Sequence, residues 1–226
     1  MKQHFLIVAN GPFLSVSHIQ ILAKNKIIIA LDGAIEKCEK IKLMPNILLG
    51  DFDSLSKKTQ EKWGVRETFN DISDTSNSYT GNFNLKIIPA KDQSKTDLEK
   101  AIAYCDTHHA ATIDIVCATG GCMDHTLAAL QALKINYRAD RELILHTKTE
   151  KIFYLKNKKI NLVGKIGDRV GITGFPKAIL HSTGLIYNGN NTVIEFGITS
   201  SFCNQLASAQ ATLDVDGEAL IIAPAA

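Results

Sequence analysis

The chain has 226 residues, more than a usual single domain and fewer than two full-sized ones, so a larger unit followed by a small one is expected. Its 45% hydrophobic and 21% charged residues are those of an ordinary soluble globular protein and exclude disordered, collagen-like and disulfide-scaffold classes. A formal net charge of +2 offers no broad footprint for nucleic acid and is silent on small-molecule sites, which depend on local charge.

Met1-Lys2-Gln3-His4 leads into an apolar run at Phe5 to Ala9. That run is too short for a signal-peptide core, and no later run approaches the roughly 20 residues of a membrane span, so a cytoplasmic protein without membrane attachment is expected. Phe5 to Ala9, Ile27 to Leu31, Ile47 to Leu49, Ile113 to Ala118 and Leu143 to His146 are short, apolar and β-rich, and read as buried strands. Helical spacing of Leu98, Ala101, Ile102 and Cys105, and of Met123, Leu127 and Leu130, falls between strands. This alternation predicts an α/β fold with a parallel sheet over residues 1 to 147.

The junctions after these strands carry the candidate chemistry. Asn10-Gly11-Pro12 follows the first strand, and Asp32-Gly33-Ala34 follows the second. Gly50-Asp51-Phe52-Asp53-Ser54 follows the third. Continued strand alternation there would put Asp51 and Asp53 on one side and Phe52 inward. Two hard carboxylates at the carboxyl edge suit Mg²⁺ carrying a nucleotide; a turn in which they bond to nearby amides is the alternative. The lone Trp63 reads as a packing residue, and the polar stretch Asn70 to Asn84 as a long surface loop.

Asp92-Gln93-Ser94-Lys95-Thr96-Asp97 opens the next helix. Thr96-Asp97-Leu98-Glu99 forms a capping box, and Asp97 also offers a third carboxylate to a metal cluster. Cys117-Ala118-Thr119-Gly120-Gly121-Cys122-Met123-Asp124-His125 then runs from strand to helix. Gly120 and Gly121 would let the backbone approach phosphate, or simply make a tight turn with Asp124 balancing the helix dipole and His125 a polar first-turn residue. Together these junctions form the arrangement expected of a nucleotide site at a sheet edge.

From residue 148 to 226 short alternating strands separated by turns predict a small antiparallel β-sandwich. Lysines at 148, 151, 156, 158, 159 and 165 read as a solvated hairpin face, with no nucleic-acid partner. Five cysteines form no CxxC pair, which suits reduced thiols.

Asp32-Gly33-Ala34, the GDFDSL segment, Asp92-Gln93-x-x-Thr96-Asp97 and Gly120-Gly121…Asp124-His125, in this order, resemble the thiamine pyrophosphokinase family. Gly184-Leu185-Ile186-Tyr187, Phe196-Gly197 and Ser200 to Gln205 resemble its C-terminal signatures. The resemblance implies an ATP-binding α/β domain joined to a thiamine-binding β-sandwich, and a homodimer with thiamine between domains of different subunits. It implies that Asp51, Asp53 and Asp97 hold Mg²⁺ on the ATP phosphates. Asp32, Gly33, Asp92, Gln93, Thr96, Gly120, Gly121, Asp124 and His125 would shape the nucleotide pocket, and Ser201 and Asn204 would lie near thiamine. The implied reaction is attack of the thiamine hydroxyl on the β-phosphorus of ATP with release of AMP, Asp97 being the candidate proton acceptor.

Three departures from the family pattern stand out. Cys117 replaces the first Gly of its usual Gly-Ala-Thr-Gly-Gly-Arg turn and Cys122 the Arg; Ile186 replaces Lys of Gly-Leu-Lys-Tyr; and Ser-Asn-Glu reads Cys203-Asn204-Gln205. Lys91 and Lys95 are candidate substitutes for the lost cation. Two other functions stay open: a catalytically weak thiamine- or nucleotide-binding protein, and a diphosphokinase for another hydroxymethyl heterocycle such as a pterin precursor.

Overall fold

The computed structural model describes residues 2–66 and 78–225, and the chain divides into two compact units, Met1–Leu145 and His146–Ala226. Part of the stretch read as a loop, 70–77, lies outside the described residues.

The first unit is built on β1 (Gln3–Val8), β2 (Ile27–Leu31), β3 (Ile47–Gly50), β4 (Tyr79–Thr80), β5 (Lys86–Pro89), β6 (Ala110–Val116) and β7 (Glu142–His146). They lie in the order β7-β6-β1-β2-β3-β5-β4. All neighbours pair in parallel except β4 with β5. Both faces of a parallel sheet are covered, which is why Phe5, Leu6, Ile7 and Val8 of β1 are all fully buried. The connecting helices are α1 (Val16–Leu22), α2 (Ala34–Lys40), α3 (Lys57–Trp63), α4 (Asp97–Thr107) and α5 (Met123–Ile135). One core cluster joins Leu6, Ile19, Ile35, Leu48, Phe52 and Trp63.

Several sequence expectations shift. Lys86–Pro89, which opens on a lysine and closes on a proline, forms a parallel strand that its sequence does not signal, and Tyr79–Thr80, within the expected loop, pairs with it as an edge strand. β6 ends at Val116, so Cys117 and Ala118 belong to the following turn. α5 forms where its spacing predicts, yet Met123 and Leu127 are exposed and the helix buries Ala129, Ala132 and Leu133. Its sequence is apolar around much of the circumference, so periodicity locates the helix without choosing its inward face.

The second unit contains β8 (Glu150–Val163), β9 (Arg169–Thr183), β10 (Thr192–Glu195), β11 (Ser200–Gln205) and β12 (Gln210–Pro224), with no helix among the described residues. Pairing is antiparallel throughout: β12 lies between β8 and β9, and the far edge of β9 carries both β10 and β11. The long strands shift register together: β12 on both sides between Val215 and Ala219, opposite Gly174 to Ala178 of β9. At that shift the Gly217 amide donates to Asn157 Oδ1 at 2.7 Å. Val170, Ile172, Leu180, Leu206, Leu213 and Ile221 form its own buried core.

Candidate active site

Six parallel strands end along one edge in the order β7, β6, β1, β2, β3, β5. The chain winds outward from β1 through β5, then returns to place β6 on the other side of β1. The switch point therefore lies between β1 and β6, where ligands of such sheets bind outside the carboxyl ends. The turn after β1 is stitched to that after β6: the Gly11 amide donates to Cys117 O at 2.7 Å. A Cβ on Gly11 would stand 2.4 Å from the same carbonyl, so this approach is open only to glycine. Lys37 Nζ braces the turn from α2, donating to Asn10 O at 2.9 Å and also to Gly11 O.

Cys117 occupies a left-handed conformation, φ 59°, which favours glycine and costs a residue with a Cβ about 1–2 kcal/mol. The chain thus keeps the backbone course of a glycine turn with a buried thiol in place of glycine, and burial pushes that thiol's pKa up. Gly120, at φ 81°, continues the turn, and Pro12 packs against it and Gly121. Cys122 is the exposed N-cap of α5 and makes no side-chain cap hydrogen bond. Asp124 Oδ1 accepts from the amide of His125 at 2.8 Å, and both residues are exposed in the first turn of α5.

The carboxylates stand on the other half of the edge. Asp32, after β2, has positive φ, with its amide held by Leu49 O at 2.9 Å. Ser54 Oγ donates to Asp32 Oδ2, whereas Oδ1 is buried without a hydrogen-bond partner. Burial raises the Asp32 pKa; the hydrogen bonds from Ser54 and the Gly33 amide oppose this, and the negative charges of Asp51 and Asp97 add to it. Asp32 and Asp51 follow the neighbouring strands β2 and β3, and Asp97 opens the helix that follows β5, the next strand along the edge.

Asp51 and Asp53 do not continue a strand. β3 ends at Gly50 and Phe52 turns left-handed at φ 67°, so the expected alternation stops, although Phe52 is buried as expected. The Asp53 amide donates to Asp51 Oδ1 at 3.2 Å, which is the turn alternative realised, and Gln93 Nε2 donates to Asp51 Oδ2 at 3.3 Å. Asp53 is exposed. Asp92 Oδ1 accepts from the hydroxyl of Ser94 at 2.6 Å and its amide at 2.9 Å, bonds that hold its carboxyl below the usual range. The capping box is complete: Thr96 Oγ1 accepts from the Glu99 amide at 3.2 Å, and Glu99 Oε2 accepts from the Thr96 amide at 2.9 Å.

The sequence reading missed Lys100. It is buried, and its ammonium donates to Asp97 Oδ1 at 3.0 Å and to Ala90 O at 2.6 Å. The available signal was its position three residues beyond Asp97 on a helix. Lys91 and Lys95, the cations singled out instead, are exposed.

Among the described residues no three His, Cys, Asp or Glu side chains are grouped closely enough to form a metal cage by themselves. Mg²⁺ needs no such cage, since it usually takes one or two carboxylates and completes its shell with water and phosphate oxygens. A buried, unpartnered carboxylate oxygen on Asp32 beside the charges of Asp51 and Asp97 fits a hard cation.

Residues 19–145 match the model of the family described as thiamin pyrophosphokinase, catalytic domain. The chain belongs to the thiamin pyrophosphokinase family. It is 25% identical over 204 residues to "Thiamin pyrophosphokinase 1" of Caenorhabditis elegans, covering 84% of this chain and 75% of that protein. Its fold is similar to thiamine pyrophosphokinase from Bacillus subtilis, with TM-score 0.80, 20% identity and coverage of 98% and 99% of the two chains. The enzyme from Candida albicans is similar too, with TM-score 0.81, 17% identity and coverage of 99% of this chain and 90% of the other.

In the second unit, Ser201 and Asn204 lie on β11. Asn204 is only 1% exposed and its amide is fully engaged. Oδ1 accepts from the Tyr187 amide at 3.1 Å and the Gln205 amide at 2.9 Å. Nδ2 donates to Tyr187 O at 2.7 Å and Ser201 Oγ at 3.0 Å. Asn204 thus anchors the Gly184 to Tyr187 segment to β11, and Tyr187 is 73% exposed beside it.

Proposed function

We propose that this chain is a thiamine diphosphokinase, transferring the pyrophosphoryl group of ATP to the hydroxyl of thiamine to give thiamine diphosphate and AMP. The observation that carries this reading is that Asp32, Asp51 and Asp97 follow the adjacent strands β2, β3 and β5 at one sheet edge, with Gln93 bonded to Asp51 across it, in a chain of this family. Asp51, Asp53 and Asp97 would hold Mg²⁺, with the free oxygen of Asp32 beside them. Bound there, the ion would neutralise charge on the phosphate oxygens.

The protein's own part is orientation. The turns at Gly11 and Gly120-Gly121, braced by Lys37, would place the nucleotide at the switch point, with Asp92, Gln93, Thr96, Asp124 and His125 along its rim. Asp97 Oδ1 is held by Lys100, which leaves Oδ2 for the ion, and a second lone pair of that same oxygen would accept the thiamine hydroxyl proton as bonding develops. Ser201 and Tyr187, fixed through Asn204, would face thiamine. The register shifts in β9 and β12 support reading the second unit as a small sandwich. Exposed Ile186, Tyr187, Phe196, Ile198 and Phe202 in that unit support burial against a second copy, so we read the protein as a homodimer, and we keep the cytoplasmic location expected from the sequence. A monomer in sedimentation at assay concentration would overturn the dimer.

The test is joint measurement of AMP and thiamine diphosphate with ATP, Mg²⁺ and thiamine, with Asp97→Asn as control. Equal amounts of both products, lost on chelation and in the variant, are expected. One observation favours a second reading: exposed Cys122 stands where the family has arginine, which fits a weak ligand-binding protein. Thiamine or nucleotide binding without product would establish it. Product from a hydroxymethylpterin and none from thiamine would reassign the substrate.

A further inference from the structure

Lys100 is buried with its side chain 7% exposed, at a position where an unpaired ammonium would cost several kcal/mol. Its two acceptors lie on different segments. Asp97 Oδ1 belongs to the first turn of α4, and Ala90 O to the residue following β5. The Ala90 amide in turn donates to Gly50 O at 2.9 Å, directly before Asp51. A single ammonium thus ties the helix that carries Asp97 to the strand end that leads into Asp51.

We propose that Lys100 is a positioning residue for the cation-binding carboxylates: by fixing Oδ1 of Asp97 and the carbonyl of Ala90, it sets Asp97 against Asp51 and leaves Asp97 its second oxygen for the ion. The proposal rests on the reading of Asp51, Asp53 and Asp97 as Mg²⁺ ligands. Two physical effects of the lysine oppose each other, and that makes the role measurable. As a bare positive charge it repels a bound cation, so its removal would tighten metal binding. As the group that orients a ligand, its removal loosens metal binding by about 10- to 100-fold, the usual effect of losing an outer partner of a metal ligand.

The experiment titrates Mn²⁺ into the full chain and follows free Mn²⁺ by electron paramagnetic resonance, with and without a non-hydrolysable ATP analogue. Parent, Lys100→Met, Lys100→Gln and Lys100→Arg are compared, each checked by thermal melting. Lys100→Met should bind Mn²⁺ about 10- to 100-fold more weakly, and Lys100→Arg should recover part of the loss. Lys100→Gln keeps a donor for Ala90 O without the charge; it should also weaken binding, and it decides the matter if the Met variant does not fold. Unchanged or tighter Mn²⁺ binding in a folded variant overturns the proposal alone. Absence of Mn²⁺ binding by the parent overturns it together with the metal reading.

Discussion

Replacing Asn204 by alanine removes four hydrogen bonds at one buried position, to the Tyr187 amide and carbonyl, the Gln205 amide and Ser201 Oγ. Each is worth about 0.5–1.5 kcal/mol net, and groups left dry cost more. The Tyr187 side chain is exposed, so water reaches part of the vacated polar surface, and we expect a loss of about 2–4 kcal/mol. At about 2–4 °C per kcal/mol for a chain of this size, the melting temperature should fall by roughly 4–16 °C. Asn204→Asp is the sharper companion, because it keeps both acceptor bonds, loses both donors, and sets a carboxylate against Tyr187 O. It should be at least as damaging at neutral pH. Urea unfolding followed by far-UV circular dichroism measures both variants. If both lie within about 0.5 kcal/mol of the parent, the four bonds do not anchor the loop and the reasoning fails.

Asp32 yields a pH-dependent prediction. Its folded pKa is raised, so the folded chain binds that proton more tightly than the unfolded chain. The resulting stability is fully present below the ordinary value of 3.8 and is lost as pH rises through the folded value. Asp32→Asn should therefore raise the melting temperature by a few degrees near neutral pH and leave it unchanged in acid, while abolishing turnover; a lower melting temperature at neutral pH refutes this. Gly11→Ala places a Cβ 2.4 Å from Cys117 O and must push apart the turns after β1 and β6. A loss of about 1–3 kcal/mol and a raised KM for ATP are expected, and parental values for both would show that the close approach is dispensable.

Much of the first unit was legible because its determinants are local. Ile27–Leu31 is a run of apolar residues too short for a helix, and Thr96 with Glu99 is a cap that spans only four residues. β5 carries little local signal because Lys86–Pro89 is brief, opens on a charged residue and closes on a proline, and it becomes a strand by pairing with β3. The spacing of Asp51 and Asp53 suggested a strand face, but Phe52 adopts positive φ and the chain turns there, while its ring joins the core cluster that holds Leu48, Leu55 and Trp63.

The sequence by itself determined the strand–turn–helix order, the acidic and glycine-bearing junctions, and the family to which they point, since each rests on neighbouring residues or short spacings. Only the tertiary structure decided which carboxylates share an environment, because strand order places β2, β3 and β5 side by side across sequence gaps that no local pattern spans. It also decided that Lys100 is buried against Asp97, and that Asn204 spends its amide on Tyr187 and Ser201. Burial and hydrogen-bond saturation are properties of packed chains, and a side chain's sequence neighbours do not specify them.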